Sequence, residues 1–306
     1  MDVRQVRLLP VDSTRSATPA ATSFLAARRV VFLGDSITYA GEYVEFVETY
    51  VRTHFPDATV ELLDLGLPSE TVSGLSEEGH AGGAFPRPDL HERLGRVLEK
   101  AQPDLVVACY GMNDGIYLPL DAGRFQKFQD GIQRLRERCA AAGAKVLHVA
   151  PPTFDEVKGG HPGYSHTLDR YSEWLLAQRA QGWEVIDAHF PMNRFLAERR
   201  RDDPKFALAG DGVHVNTQGH WLIAREILRH LGAPDEIVAA DTPGALLKSH
   251  PRGAEVLTLV QQRQRLLKDA WLTHVGHVRP GMNQGKPLAE AQREAMGLTE
   301  KLQAIK

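Results

Sequence analysis

Four short stretches carry residue types suited to acyl transfer: Ser36 in GDSIT, Gly66 in DLGLPSET, Asn113 in GMND, and Asp211 with His214 in DGVHVN. A serine hydroxyl is a weak nucleophile until an imidazole takes its proton, and the imidazole needs an acceptor to hold its tautomer and stabilise its charge. Asp211 and His214 stand three apart around a flexible Gly212, so the carboxylate can reach one ring nitrogen while the other faces a serine. An oxyanion then needs hydrogen-bond donors. The N–H of Ser36, the N–H of Gly66 and the side-chain amide of Asn113 can supply three, each worth about a hundred- to thousand-fold in rate. Every one of these residues also has a plainer use. Ser36 suits a helix cap, glycines at 34, 66 and 111 suit tight turns, Asn113-Asp114-Gly115 and Asp211-Gly212 suit turns, and a single histidine is more often structural.

What sets the catalytic reading above the plain ones is where the stretches fall. Short apolar, β-branched runs recur at 29–33, 59–65, 104–110, 145–150 and 183–188, separated by helical periodicity at 41–54, 87–101, 121–142 and 165–181 and followed by a last helix at 216–231. Strands alternating with helices predict a parallel sheet covered on both faces, a flavodoxin-like three-layer α/β/α sandwich with five strands. In such a sheet, ligands collect at the carboxyl ends of the strands. GDSIT, DLGLPSET and GMND each follow a strand, and DGVHVN precedes the last helix. The chain divides into a lead-in (1–25), rich in Ser, Thr, Ala and Pro, a sheet domain (26–232), and a helical extension (233–306) with amphipathic stretches at 252–272 and 287–304.

The four motifs, in this order, resemble those of the SGNH hydrolases, also called GDSL esterases/lipases, over about residues 26 to 232. The resemblance implies Ser36 as nucleophile, His214 as base, Asp211 as its orienting acid, and Gly66 and Asn113 as oxyanion-hole donors. It carries no role onto 233–306. The chemistry it implies is hydrolysis of carboxylic esters, with no metal or organic cofactor. The family includes carbohydrate O-acetyl esterases, lysophospholipases and thioesterases. The absence of an apolar amphipathic flap favours short acyl groups, acetyl first, on a small molecule or carbohydrate. A silent carbohydrate-binding module on the same fold is the reading from a different class.

Composition narrows the rest. A formal net charge of -3 gives no reason to expect a nucleic-acid partner, and Arg199-Arg200-Arg201 reads as a solvated helix end. Two cysteines, Cys109 and Cys139, make no disulfide framework. No stretch has the length and apolarity of a membrane span, and residues 1–24 lack the apolar centre of a secretory signal, as would a chain whose signal had been removed. His148, His161, His166 and His189 show no metal-ligand spacing. The stretch 281–286 is one residue short of a phosphate loop and follows no strand, and there is no G-x-S-x-G elbow. Of the tryptophans 174, 183, 221 and 271, each reads as core before sugar platform. The loop holding His274, His277 and Arg279 reads first as a structural link between two helices, with folding back over the site as the alternative. Arg279 is then a candidate contact for an acidic or hydroxyl-rich leaving group, and Asp35 is the other candidate substrate contact. The two amphipathic helices offer a face for a homo-oligomer.

Overall fold

The structure, a computed structural model, describes residues 19–305. Its strands β1 (Arg29–Gly34), β2 (Glu61–Asp64), β3 (Leu105–Cys109), β4 (Lys145–Val149) and β5 (Glu184–Ile186) form one sheet in the order β2-β1-β3-β4-β5. Every pair is parallel. This is the flavodoxin-like order, in which the chain leaves β1 towards one edge and later returns to its other side at β3. The pairing of Gly34 with Cys109 levels the ends of β1 and β3, so the segments that follow them open at the same point.

Thirteen α-helices surround the sheet among the described residues. They are α1 (Pro19–Ala26), α2 (Ser36–Ala40), α3 (Glu42–His54), α4 (Leu90–Ala101), α5 (Ala122–Ala141), α6 (Glu156–Gly159), α7 (Tyr164–Ala177), α8 (His189–Asp202) and α9 (Thr217–His230). After these come α10 (Asp235–Val238), α11 (Gly244–Lys248), α12 (Gly253–Val275) and α13 (Leu288–Gln303). The apolar runs of the central strands are continuous because both faces are covered. Val30 and Phe32 of β1 point into a core built with α3, α8 and α9, while Val31 and Leu33 point into one built with α4, α5 and α12.

Three local expectations are revised. Residues 1–18 of the lead-in lie outside the described residues, but its end is helical, and Phe24 of α1 is buried in the core. The helix expected from 87 begins at Leu90, because a residue before proline is pushed out of the helical region: Arg87 precedes Pro88, and Asp89 caps the helix by accepting from the His91 N–H at 2.9 Å. Between β5 and α9 lies α8, the helix whose end the arginine triplet marks, with Pro191 in its first turn, where no intrahelical N–H is required. It ends in the arginine triplet, of which Arg200 is turned inward rather than solvated: it forks onto the buried Asp155.

Helix α12 lies along the open edge of β2, against α3 and α4. Gln264 donates to the Leu62 carbonyl of that edge strand at 3.0 Å and to Glu48 of α3 at 2.6 Å. Glu48 is fully buried. Burial raises its carboxyl, but the Arg263 and Arg52 guanidiniums more than offset this and hold it below the usual range. Edge strands expose unpaired backbone groups, and the extension covers this one.

Candidate active site

The nucleophile candidate sits at the turn from β1 into α2. A Cβ at Gly34 would lie 2.1 Å from Thr38 Oγ1 and 2.8 Å from the Cys109 carbonyl, so only glycine lets the chain turn this tightly. Asp35 then caps α2, accepting from the Ile37 N–H at 2.9 Å. The cap is therefore Asp35 and not Ser36, which is the first helical residue. Its N–H lies in the turn whose donors have no intrahelical acceptor. The same bond revises the expectation for Asp35: a carboxyl 3% exposed and bonded to backbone is a structural cap, not a substrate contact. Burial pushes it up to about 7, with the Ile37 N–H pulling down, Asp114 pushing up, and His214 and Arg87 pulling down.

The histidine arrives from the segment before α9. Ala209 bridges Val215 in antiparallel fashion, Asn216 N–H donates to the Leu208 carbonyl at 2.7 Å, and Asn216 caps α9 through the Gly219 N–H. Gly212 takes φ 83°, and a Cβ there would meet the Gly159 nitrogen at 2.5 Å and the Asp155 carbonyl at 2.6 Å. The Asp155 N–H donates to the Gly212 carbonyl at 3.0 Å, so the Arg200–Asp155 pair braces this loop from below. On the loop, Asp211 Oδ1 accepts from the N–H groups of Val213 (2.9 Å) and His214 (2.8 Å), and Oδ2 meets His214 Nδ1 at 2.6 Å. Burial would raise the Asp211 carboxyl, but the His214 ring and these two N–H groups hold it down at about 2. A carboxylate at Oδ2 fixes the proton on Nδ1. Nε2 is then the acceptor, and it lies 2.8 Å from Ser36 Oγ.

The donors differ from expectation at one residue. Asn113 is 3% exposed; its Oδ1 accepts from the Tyr117 hydroxyl at 3.0 Å and its Nδ2 donates to the Glu70 carbonyl at 3.2 Å. An amide nitrogen has two hydrogens, so one remains. Gly66 is not free: its N–H donates to Asp64 Oδ1 at 2.9 Å, and a Cβ on it would lie 2.3 Å from the Tyr39 nitrogen. Its role is to let β2's loop pack on α2, which corrects its place among the oxyanion donors. Along this loop the N–H groups of Leu65, Leu67, Glu70 and Thr71 all have acceptors, and Pro68 has none to give. The N–H of Ser69 finds no acceptor among the described residues, and Ser69 holds φ 69°, unusual for a residue with a side chain. The motif contained Ser69, but nothing in its residue type signals a left-handed backbone. Asp114 Oδ1 ties the two loops together through the N–H groups of Val72 (2.9 Å) and Ser73 (2.8 Å).

Residues 32–222 match the GDSL-like Lipase/Acylhydrolase family, well over half of the chain. The chain belongs to that family. No curated protein matches it. Among solved structures, it is similar to a gut microbial diltiazem-metabolizing enzyme at 23% identity and TM-score 0.55, covering 67% of this chain and 47% of that one, so it spans about half that enzyme's length. It is also similar to an acetylxylan esterase from Geobacillus stearothermophilus, at 20% identity and TM-score 0.52, covering 68% of this chain and 95% of that one. At these identities the two structures attest the fold. Membership of the GDSL-like family makes the chain a hydrolase acting on esters.

Around the GDSL-type site, the loop after α12 does reach back. Arg279 Nε donates to the Pro68 carbonyl at 2.9 Å, Nη1 to the Pro280 carbonyl, and the guanidinium lies over Phe85 with its carbon 5.2 Å from the ring centre. It is thus a strut between the extension and the segment holding Ser69. Among the described residues it has no carboxylate partner. The neighbouring Arg87 forks onto Glu77 with two bonds of 2.6 Å and faces the Tyr117 ring. Trp221 and Trp271 are core, and Trp183 packs between His148 and Arg136. His189 is bonded to Asp169 and the Pro151 carbonyl. No group of three His, Cys, Asp or Glu side chains fit for a metal occurs among the described residues. Nor is any helix there long and apolar enough to cross a membrane.

Proposed function

We propose that the chain is a serine esterase that removes short acyl groups, acetyl first, from a polar, carbohydrate-like alcohol through an acyl-Ser36 intermediate. The observation that carries this is the unbroken relay from Ser36 Oγ to His214 Nε2 (2.8 Å) and from His214 Nδ1 to Asp211 Oδ2 (2.6 Å). As Oγ attacks the acyl carbon, Nε2 takes its proton, and the imidazolium is stabilised by Asp211. The oxyanion accepts from the N–H groups of Ser36 and Ser69 and the spare hydrogen of Asn113 Nδ2. Collapse expels the alkoxide, which takes the proton from Nε2. Water activated by the same nitrogen then attacks the acyl-serine and frees the acid.

An open polar approach supports a sugar-like leaving group: the side chains of Asp211 and His214 are each 56% exposed. Arg279, with no acidic partner, would border the leaving-group side. The acetyl-sugar reading also draws on the resemblance to the acetylxylan esterase. A second reading, an ester with a longer apolar chain as in a lysolipid, is favoured by Leu118, exposed at 44% on the loop after Asn113, and Val157, exposed at 77% on α6, whose Gly159 packs against Gly212.

Intact-mass labelling with a serine-directed phosphonate separates enzyme from silent binding module. We expect one adduct on the native chain and none on Ser36→Ala, with p-nitrophenyl acetate cleaved faster than the octanoate. Absence of adduct and of turnover would refute the esterase reading, and a faster octanoate would select the apolar one.

A further inference from the structure

Beneath the site lies a charged cluster that the reaction above does not use. Glu70 and Arg93 are both fully buried. Arg93, on α4, donates from Nε to Glu70 Oε1 at 2.6 Å and from Nη2 to Glu70 Oε2 at 2.7 Å, and Nη2 also reaches the Leu65 carbonyl at 2.8 Å. The Tyr110 hydroxyl, just past the end of β3, donates to Glu70 Oε2 at 2.6 Å. One loop, one helix and one strand end are therefore pinned at a single carboxylate.

Stability alone does not account for such a cluster, because the desolvation of a buried ion pair roughly cancels its attraction and an apolar substitute often serves as well. What the cluster does fix is the backbone of Glu70, and the Glu70 carbonyl is the acceptor that holds Asn113 Nδ2. Asn113 stands three residues beyond Tyr110, so the same cluster grips both sides of that bond. A donor amide contributes to an oxyanion only if its direction is set before the charge develops. We propose that Glu70, Arg93 and Tyr110 are positioning residues for the oxyanion hole: without touching substrate, they hold the Glu70 carbonyl where it orients the Asn113 amide. This rests on the esterase reading above.

The test is a double-mutant cycle with turnover and phosphonate labelling read on the full chain. Tyr110→Phe deletes one hydroxyl at nearly constant volume and keeps the protein folded, whereas Arg93→Met leaves the buried Glu70 carboxylate without its charge partner. Tyr110→Phe should lower kcat about fivefold to tenfold, with KM within about twofold. In an Asn113→Ala background the same change should cost less than about twofold, because the amide it orients is gone. Arg93→Lys should retain more activity than Arg93→Met, though less than arginine, since lysine keeps the charge and loses the fork. Equal losses in the two backgrounds, or a Tyr110→Phe enzyme with unchanged kcat, would overturn the proposal while leaving the esterase reading intact. A native chain that takes no label would remove the esterase reading itself, and the proposal with it.

Discussion

The carboxyl beside the candidate nucleophile is strongly altered by its surroundings. Asp35 is buried, and burial raises it to about 7; Asp64, beneath Gly66, is likewise raised to about 7, and Asp114 to about 6. In the unfolded chain an aspartate loses its proton near pH 4. Between about pH 4 and 7 the folded state therefore binds more protons than the unfolded one, and stability falls as pH rises through this window. Asp35→Asn keeps a side-chain oxygen for the Ile37 N–H, since asparagine caps helices as well as aspartate, and removes the ionisation. The substituted chain should gain on the native one by about 2 kcal/mol between pH 5 and pH 8, an order-of-magnitude figure from a shift of about three units. Urea midpoints at the two pH values measure it, and a difference that does not change with pH would contradict the assignment.

At the scale of elements, the site depends on loops whose conformations are enforced from behind. Gly212 shows this most directly, because its left-handed backbone and its contact with the Asp155–Gly159 turn set where Asp211 and His214 stand. Gly212→Ala forces that turn and the histidine loop apart. A displacement of the order of 1 Å costs about a hundredfold, so kcat should fall by about that factor while the far-ultraviolet circular dichroism stays native. Full activity in this variant would show that the brace is unnecessary. The turn at 116–117 has the same character: Ile116 and Tyr117 both take positive φ (48° and 57°), and Tyr117 then holds Asn113 Oδ1. Non-glycine residues in this region store strain that surrounding contacts must offset.

Across the whole molecule, the extension is part of the architecture around the sheet. Leu267, Trp271 and Val275 of α12 and Ala291 and Ala295 of α13 join the core on the α4–α5 side, and Leu302 meets Val256 and Val260. The apolar faces that suggested self-association in the sequence are used within the chain. Deleting residues 253–306 would bare the β2 edge and the α4 side of the core, and would remove the Arg279 strut from the Pro68 carbonyl. We expect a fall in the thermal midpoint of about 10 °C or more, given that about 1 kcal/mol moves a protein of this size by a few degrees, together with aggregation visible by light scattering. A soluble truncated chain with an unchanged midpoint would show that the extension is dispensable.

The sequence by itself carried the parallel sheet, because strands buried on both faces must be continuous apolar runs, and it carried the order of the motifs at the strand ends. The proposed site residues Ser36, Asn113, Asp211 and His214 were legible as candidates for a related reason: acyl transfer needs those side chain types whatever backbone holds them. Roles carried by the backbone were not legible. Whether Gly66 or Ser69 has a free N–H depends on Asp64 Oδ1 and on a left-handed φ, neither of which residue type reveals. Asp35 became a cap through the Ile37 N–H just beyond it in the turn, and Arg200 a brace only through Asp155, far along the chain. The reach of Arg279 to Pro68, and the carboxylate of Glu70 shared by Arg93 and Tyr110, are contacts between distant segments. A linear pattern records which groups are present, and packing decides which of their hydrogen bonds are already taken.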